Sequence, residues 1–237
     1  MIKSAIILAG GFGTRLQSVV SDVPKPMAKI NNRPFLEYLL DYLNYYEISN
    51  VILSVGYKAE LIQNHFKSQY KNIQVEYALE DTPLGTGGGI RNAMKNISNS
   101  DDVFVLNGDS FFDINLNSFL DFHALNKSKA SLSLRQVEDA SRYGTIITDE
   151  TSQIISFEEK NSNNTPGIIN AGVYLLNKVF FEEKTKDKTN FSIEKDFFEK
   201  YISEKCFFGL KLEGYFIDIG IPEDYKRAQD EFKQFRY

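Results

Sequence analysis

The stretch AIILAGGFGTRL, residues 5–16, decides how the rest of the chain is interpreted. Its apolar start predicts a buried strand. Three glycines, Gly10, Gly11 and Gly13, follow the strand, and Arg15 comes two residues later. Glycines let backbone N–H groups approach oxygen atoms closely, and an arginine fork matches the oxygens of a phosphate. The stretch therefore predicts a phosphate-binding loop at the edge of a sheet.

Two common phosphate motifs do not fit this loop. The dinucleotide fingerprint requires a glycine where Leu16 stands, which disfavours a dehydrogenase-like protein. The P-loop ends in Gly-Lys-Ser/Thr, but this loop reads Gly13-Thr14-Arg15. The loop on its own is equally compatible with an ordinary strand-to-helix turn, so other parts of the chain must decide.

Composition limits the class of protein. The chain has 237 residues, of which 42% are hydrophobic, enough for one sizeable core. Its formal net charge of −5 argues against nucleic acid as a partner, because polyanion binding normally needs a basic face. The apolar start is too short for a signal peptide, and no segment approaches the ~20 apolar residues of a membrane span. We expect a cytoplasmic protein that does not bind a membrane.

Strand and helix patterns alternate in the first part of the chain, which predicts an α/β fold with parallel strands between helices. Continuous apolar runs predict strands at Ala5–Leu8, Val51–Val55, Val75–Ala78, Val103–Leu106 and Ala130–Arg135. Helical spacing of apolar residues predicts helices beginning near Pro34 and over Lys58–Tyr70, Gly88–Asn96 and Asn115–Asn126.

The pattern loosens after about residue 130. Further strands are predicted at Tyr143–Thr148, Ile154–Glu158, Ile168–Leu175, Phe207–Leu212 and Tyr215–Ile219, and Pro222 is expected to open a last helix. No break in composition separates two independent units. We therefore expect one domain over residues 1–237, with halves at about 1–130 and 131–237.

Charged residues near the predicted strand ends indicate chemistry with phosphates. Lys25 lies between two prolines that restrict its backbone. Asp109 follows a predicted strand, and Asp218 interrupts an apolar run before a glycine. Ligands of open parallel sheets bind beyond the carboxyl ends of the strands, and a carboxylate beside phosphates requires a cation. Magnesium, held by one or two carboxylates and phosphate oxygens, is the expected ion.

These motifs, and their order along the chain, resemble those of the sugar-1-phosphate nucleotidyltransferases. The resemblance is found in LAGGFGTRL, Pro24-Lys25-Pro26, Asn107-Gly108-Asp109, Glu159-Lys160, Asn170-Ala171-Gly172 and Asp218-Ile219-Gly220. Segments VVSDVPKPMAKI, RPFLEYLLDYL and LGTGGGI are most similar to the branch of the family that joins GTP to a heptose 1-phosphate. The resemblance implies a Rossmann-like three-layer α/β/α sandwich with a mostly parallel central sheet.

The resemblance also implies a role for individual residues. Nucleotide-binding residues are expected at Leu8, Ala9, Gly10, Gly11, Gly13, Thr14, Arg15, Lys25, Glu80, Gly85 and Thr86. Sugar-phosphate-binding residues are expected at Gly144, Glu159, Lys160 and Asn170. Magnesium ligands are expected at Asp109 and Asp218, and catalytic residues at Arg15, Lys25 and Asp109. The first half of the chain is thus the nucleotide-binding half and the second the sugar-phosphate-binding half.

Alternatives remain open from the sequence. Many relatives have proline and threonine where this chain has Ser18 and Val20, which changes the loop rather than the chemistry. The substrates could instead be GTP with mannose 1-phosphate, or a uridine or thymidine nucleotide with another sugar. A non-catalytic nucleotide-sugar sensor is a further alternative. His65 and His123 fall in helices expected at the surface, and neither receives a role. The oligomeric state, including a homo-oligomer, stays open.

Overall fold

The computed structural model describes residues 2–11, 16, 20, 22–98, 102–158, 165–235 and 237. The strands are β1 Ser4–Leu8, β2 Lys29–Ile30, β3 Arg33–Pro34, β4 Asn50–Val55, β5 Gln69–Tyr70, β6 Ile73–Leu79, β7 Asp102–Asn107, β8 Ser110–Phe112, β9 Ala130–Val137, β10 Thr145–Thr148, β11 Ile154–Glu158, β12 Gly167–Asn177, β13 Phe207–Lys211 and β14 Phe216–Asp218. The α-helices are α1 Phe35–Tyr45, α2 Ala59–Phe66, α3 Gly85–Met94, α4 Leu116–Leu125, α5 Lys178–Thr185 and α6 Pro222–Glu231.

Ten strands of the described chain form one mostly parallel central sheet. Its first part runs β6-β4-β1-β7, with parallel neighbours throughout. The antiparallel strand β12 continues the sheet beside β7 and also pairs with β9 and β10. Because the sheet includes strands from both halves of the sequence, a single domain over residues 1–237 remains our proposal.

Helices and loops cover both faces of the sheet, as the continuous apolar strands predict. Side chains of β1 alternate between two hydrophobic cores, with Ile7 in the core that includes α1 and Ile6 in the core that includes α3. Both are fully buried. The prediction of a three-layer α/β/α fold is therefore confirmed.

The order of the strands places a crevice between β1 and β7. The connection after β1 leads to β4 on one side, whereas β7 lies on the other, so β1 marks the point where the winding of the sheet reverses. The two strands meet closely at their carboxyl ends, where the Gly108 N–H donates to the Leu8 carbonyl at 2.9 Å. A Cβ on Gly108 would lie 2.3 Å from that oxygen, so only glycine fits the approach.

Two sequence-based expectations are wrong. The helix predicted over Lys58–Tyr70 ends at Phe66, because Lys67 has a positive φ of 52° and the chain turns into β5. His123 is buried rather than at the surface, since α4 packs against β9 and the ring accepts or donates a hydrogen bond with Ser131 at 2.8 Å.

The structure also shows elements for which the sequence gives no pattern. They are the short strand β8, which pairs with β14, and a π-helical segment over Glu194–Glu199. No helix in the described ranges combines the length and the apolar character that a membrane crossing requires.

Candidate active site

Three predicted side chains meet beyond the carboxyl end of β7. Lys25 opens a short 3-10 helix, Lys25–Met27, and its Nζ lies 2.7 Å from Oδ2 of Asp109. The Ile219 N–H donates to the Asp109 carbonyl at 2.9 Å, which brings Asp218 alongside. Lys25 Nζ also lies 3.3 Å from the position of a Cβ on Gly220. One ammonium group and two carboxylates therefore share one end of the crevice.

The surroundings of Asp218 disfavour the charged form of its carboxylate. Burial raises the pKa of Asp218, and the negative charge of Asp109 raises it further. The Gly220 N–H at 2.7 Å, Lys25 and Arg142 act in the opposite direction without cancelling the shift. A divalent cation between the two carboxylates would relieve this repulsion, so the donor set fits a metal ion.

The protein alone offers only part of a coordination shell. Among the residues that the structure describes, no group of three or more acidic, histidine or cysteine side chains is arranged to hold a metal. Magnesium is usually bound by one or two carboxylates and by substrate phosphates, and Asp109 and Asp218 fit that pattern. A metal ion held by these two carboxylates would need phosphate or water oxygens to complete its coordination.

Arg142 and Tyr143 form a second contact with Asp218 that sequence reasoning missed. Arg142 Nη1 lies 2.5 Å from Oδ2 of Asp224, and its Nη2 lies 3.6 Å from Oδ2 of Asp218. The Tyr143 hydroxyl donates to the same Asp218 oxygen at 3.4 Å. The only local signal was the position of both residues immediately before Gly144, which was predicted to contact the sugar.

A cavity of about 570 Å³ extends from the two aspartates into the second half of the chain. Two of its walls come from the β10–β11 hairpin and from the π-helical segment. Its lining residues are Asn107, Asp109, Ser110, Arg142, Tyr143, Gly144, Thr145, Ile146, Phe157, Glu158, Asn170, Ala171, Ser192, Glu194, Lys195, Glu199, Phe216 and Asp218. Mixed polar and aromatic walls around a space of this size suit a sugar phosphate.

The two described residues predicted to contact the sugar both line this cavity. Asn170 Nδ2 donates to the hydroxyl of the buried Tyr174 at 2.8 Å, and its Oδ1 accepts the Gly172 N–H at 3.1 Å. Gly144 lies against β11, where a Cβ would stand 3.0 Å from the Glu158 carbonyl. Asn170 is thus held rigidly at the cavity floor, while Gly144 keeps the hairpin close.

On the nucleotide side, Glu80 connects β4 with the segment before α3. Its Oε1 accepts a hydrogen bond from Ser54 Oγ at 2.7 Å, and its Oε2 accepts one from the Leu84 N–H at 3.1 Å. A Cβ on Gly10 would lie 3.0 Å from Oε1. Glu80 therefore fixes both neighbouring segments, and its remaining lone pairs can accept from a ligand.

The beginning of α3 packs against the segment around Phe191, in the second half of the chain. The Gly87 N–H donates to the Phe191 carbonyl at 2.9 Å, and the Phe191 N–H donates to the Leu84 carbonyl at 2.9 Å. Gly85 has a positive φ of 71° and lies directly against the same segment. Thr86 uses its hydroxyl to bind Ile193 and is not free of protein contacts.

The remaining predicted residues divide into two groups. Ala9 is buried and its N–H donates to the Ser54 carbonyl at 2.8 Å, while Leu8 contacts Gly108 and Gly11 is exposed. The residues that lie outside the described ranges are Gly13, Thr14, Arg15, Glu159 and Lys160.

A crevice at the reversal point of a mostly parallel sheet, with paired cationic and carboxylate groups, is typical of a nucleotide-dependent transferase. The chain belongs to the nucleotidyl transferase family, whose model matches residues 4–234. This confirms the resemblance to the sugar-1-phosphate nucleotidyltransferases and establishes the protein as an enzyme of that family.

Similar proteins cover nearly the whole chain. A D-glycero-alpha-D-manno-heptose 1-phosphate guanylyltransferase from Aneurinibacillus thermoaerophilus is 46% identical over 232 residues, covering 98% of this chain and 99% of that protein. One of the same name from Campylobacter jejuni is 47% identical over 224 residues, covering 93% and 96%. The solved structure of HddC from Yersinia pseudotuberculosis complexed with GMP-PN has a TM-score of 0.85 and 38% sequence identity, covering 98% of this chain and all of that one.

Proposed function

We propose that this protein condenses GTP with D-glycero-α-D-manno-heptose 1-phosphate to give GDP-heptose and pyrophosphate. The observation that carries the proposal is the Lys25, Asp109 and Asp218 cluster, whose two aspartates line a cavity of about 570 Å³ with mixed polar and apolar walls. Near-complete alignment with two heptose 1-phosphate guanylyltransferases supports the choice of nucleotide and sugar.

The reaction requires no general base from the protein. The second pKa of a phosphate monoester is about 6, so the sugar phosphate is already an anionic nucleophile at neutral pH. It attacks the α-phosphorus of GTP in line with the departing pyrophosphate. Neither histidine of the chain lines the cavity, which agrees with a mechanism that depends on positioning and charge neutralisation.

We assign the positive charges at the reacting centre to three side chains. Lys25 lies close enough to Asp109 to be held in the crevice, where its ammonium group can bind phosphate oxygens. Arg15 and Lys160 keep the roles that the family resemblance implies, on the triphosphate and on the sugar phosphate. A bound magnesium ion, held by Asp109 and Asp218, would supply further neutralisation of the triphosphate.

The remaining contacts divide between the two substrates. We assign the loop from Leu8 to Thr14, with Glu80, Gly85 and Thr86, to the nucleotide. Gly144, Glu159 and Asn170 are assigned to the sugar. The partners that we propose are GTP and a sugar 1-phosphate.

A substrate panel tests this function. The purified protein is incubated with each of GTP, ATP, UTP and dTTP against heptose, mannose and glucose 1-phosphates, and pyrophosphate release is measured. We expect the GTP and heptose 1-phosphate pair to have the highest kcat/KM. A preference for mannose 1-phosphate, or for a pyrimidine nucleotide, would contradict the proposed substrates, and no release with any pair would contradict the function.

A further inference from the structure

Thr86, expected on the nucleotide side of the site, is hydrogen-bonded to a wall of the sugar cavity. Its Oγ1 accepts the Ile193 N–H at 2.9 Å and donates to Oε2 of Glu194 at 3.1 Å. Because the Thr86 oxygen accepts a hydrogen bond from the Ile193 N–H, the hydroxyl proton points towards Glu194. This contact spans 108 residues of sequence and joins the beginning of α3 to the π-helical segment.

A second hydroxyl holds the same carboxylate oxygen. Ser192 Oγ donates to Oε2 of Glu194 at 2.7 Å, and it accepts the Lys195 N–H at 3.3 Å. Glu194 is the first residue of the π-helical segment, which buried Phe197 and Phe198 anchor in the core. The hydroxyls of Thr86 and Ser192 each accept a backbone N–H and donate to Glu194. The carboxylate is therefore held in one position before any substrate binds.

Glu194 lines the same cavity as Asn170 and Asp109. Burial is the main cause of the raised pKa of Tyr174, and the charge of Glu194 also contributes. The Tyr174 hydroxyl in turn accepts the hydrogen bond from Asn170. Glu194 therefore faces the cavity floor to which Asn170 belongs.

The charge of Glu194 determines which part of a sugar phosphate it can bind. A carboxylate repels the phosphate group, whereas Lys25 and Arg142, at the Asp109 and Asp218 side of the cavity, attract it. A deprotonated carboxylate only accepts hydrogen bonds, and hydroxyl groups are donors that match it. Preorganised acceptors of this kind give specificity because an unmatched sugar leaves them unpaired.

We propose that Glu194 is a specificity-determining residue that accepts hydrogen bonds from hydroxyls of the sugar, and that Thr86 is a positioning residue that holds its carboxylate. The inference rests on the proposed function, because it takes the cavity to be the sugar subsite. It gives Thr86 a role on the sugar side that the family resemblance does not assign. Removing the Thr86 hydroxyl should therefore weaken the use of the sugar phosphate more than the use of the nucleotide.

Single variants provide the first test, by steady-state kinetics with each substrate varied in turn. Glu194→Gln should raise the KM for the sugar phosphate about 10- to 100-fold, the equivalent of one charged hydrogen bond. Its KM for GTP should change less than about twofold. Glu183→Gln, an exposed acid on α5, is the matched control and should behave as wild type. A Glu194→Gln enzyme with an unchanged KM for the sugar phosphate would refute the sugar contact.

Variants of Thr86 test the positioning role. Thr86→Val preserves the shape but removes the hydroxyl, and we expect a rise of about three- to tenfold in the KM for the sugar phosphate. Thr86→Ser restores the hydroxyl and should restore the KM. In the Glu194→Gln background, Thr86→Val should have little further effect, because its partner is already altered. Independent, multiplying effects of the two substitutions would show that Thr86 does not act through Glu194.

The test separates this inference from the proposed substrates. If the wild-type enzyme prefers a different sugar 1-phosphate, the heptose assignment fails, and the same variants are compared with the preferred sugar. A selective rise in KM for that sugar still supports Glu194 as its ligand. If Glu194→Gln instead raises the KM for the nucleoside triphosphate, the carboxylate belongs to the nucleotide subsite and the inference is wrong.

Discussion

Lys25 Nζ and Asp109 Oδ2 lie 2.7 Å apart, although 84 residues separate them in the sequence. The ammonium group is mostly buried, with 15% of the side chain exposed, whereas 37% of the Asp109 side chain is exposed. The contact therefore presents a held positive charge and an accessible carboxylate at the same mouth of the cavity. Two opposite charges so arranged can receive a triphosphate and its cation together.

Removing either member of this pair should abolish most of the activity. We expect Asp109→Ala and Lys25→Ala each to lower kcat about 100-fold or more, as the loss of charge stabilisation in the transition state does. Pyrophosphate release measures turnover, and circular dichroism with thermal unfolding checks that the fold is intact. Asp121→Asn, at an exposed position of α4, is the control. Near-normal turnover in a folded Asp109→Ala protein would contradict its assignment.

The second aspartate should control the affinity for the metal ion. We expect turnover to stop when divalent ions are removed with a chelator and to return when magnesium is added. Asp218→Asn should raise the magnesium concentration for half-maximal turnover by about tenfold or more. Direct binding of Mn²⁺ in the presence of GTP, followed by electron paramagnetic resonance, should weaken in parallel. Unaltered metal affinity in this variant would exclude Asp218 as a ligand.

Close packing on α3 predicts that substitutions of two glycines differ greatly in their effect on stability. A Cβ on Gly88 would lie 2.3 Å from the Thr189 carbonyl oxygen, a backbone atom that cannot rotate away. Gly88→Ala should therefore lower the free energy of unfolding by about 1–3 kcal/mol. Gly11→Ala meets no atom within 4 Å and should leave the unfolding midpoint unchanged. Urea denaturation of both variants gives the comparison, and equal midpoints would show that the two segments are not packed this closely.

The carboxylate of Asp41 should make a contribution to stability that depends on pH. Burial alone would raise the pKa of this carboxyl, but hydrogen bonds from Lys71, Arg33 and Tyr70 lower it overall. A carboxyl whose folded-state pKa is below its unfolded value of about 3.9 stabilises the fold above that pH and loses this contribution as the pH falls further. Asp41→Asn should cost about 3 kcal/mol at pH 7.

The pH series supplies the control for the Asp41 prediction. The difference in unfolding free energy between the wild type and Asp41→Asn should shrink as the pH decreases below about 4, because the Asp41 carboxyl is protonated first in the unfolded chain and, at lower pH, in the folded one. Urea titrations at several pH values measure this difference directly. A difference that stays constant with pH would mean that the charge of Asp41 does not stabilise the fold.

The sequence was sufficient for the parts of the fold that local patterns determine. Strands β1, β4 and β7 appear as apolar runs because they are buried on both faces. Asp109 follows β7, so it was expected in the same crevice as the loop after β1. In contrast, β5 was hidden because helical spacing continues past Phe66, and only the turn at Lys67 ends the helix. The local hairpin that pairs β5 with β6 decided that outcome.

The candidate site was only partly predictable, because elements far apart in the sequence enclose it. Asp109 follows Gly108 after a predicted strand, and Asp218 lies two residues before Gly220 near the end of another, so the sequence marks both. Arg142, Ser192 and Glu194 have no such marker, because their role depends on which distant elements enclose the cavity. His123 was misjudged because α4 packs against β9, a contact that the helix pattern does not reveal.

The bent strand β12 limits how this enzyme can be re-engineered. Gly172 has a positive φ of 79° and lies within a register shift, between Asn170 and Tyr174, in the pairing with β9. The same strand pairs with β7 from the first half and with β9 from the second. A chimaera that exchanges the sugar-recognising half for that of a relative cannot be cut at a free linker there. Such a chimaera would have to include β12 together with the strands that pair with it. Otherwise the backbone hydrogen bonds between β12 and its neighbours would be lost.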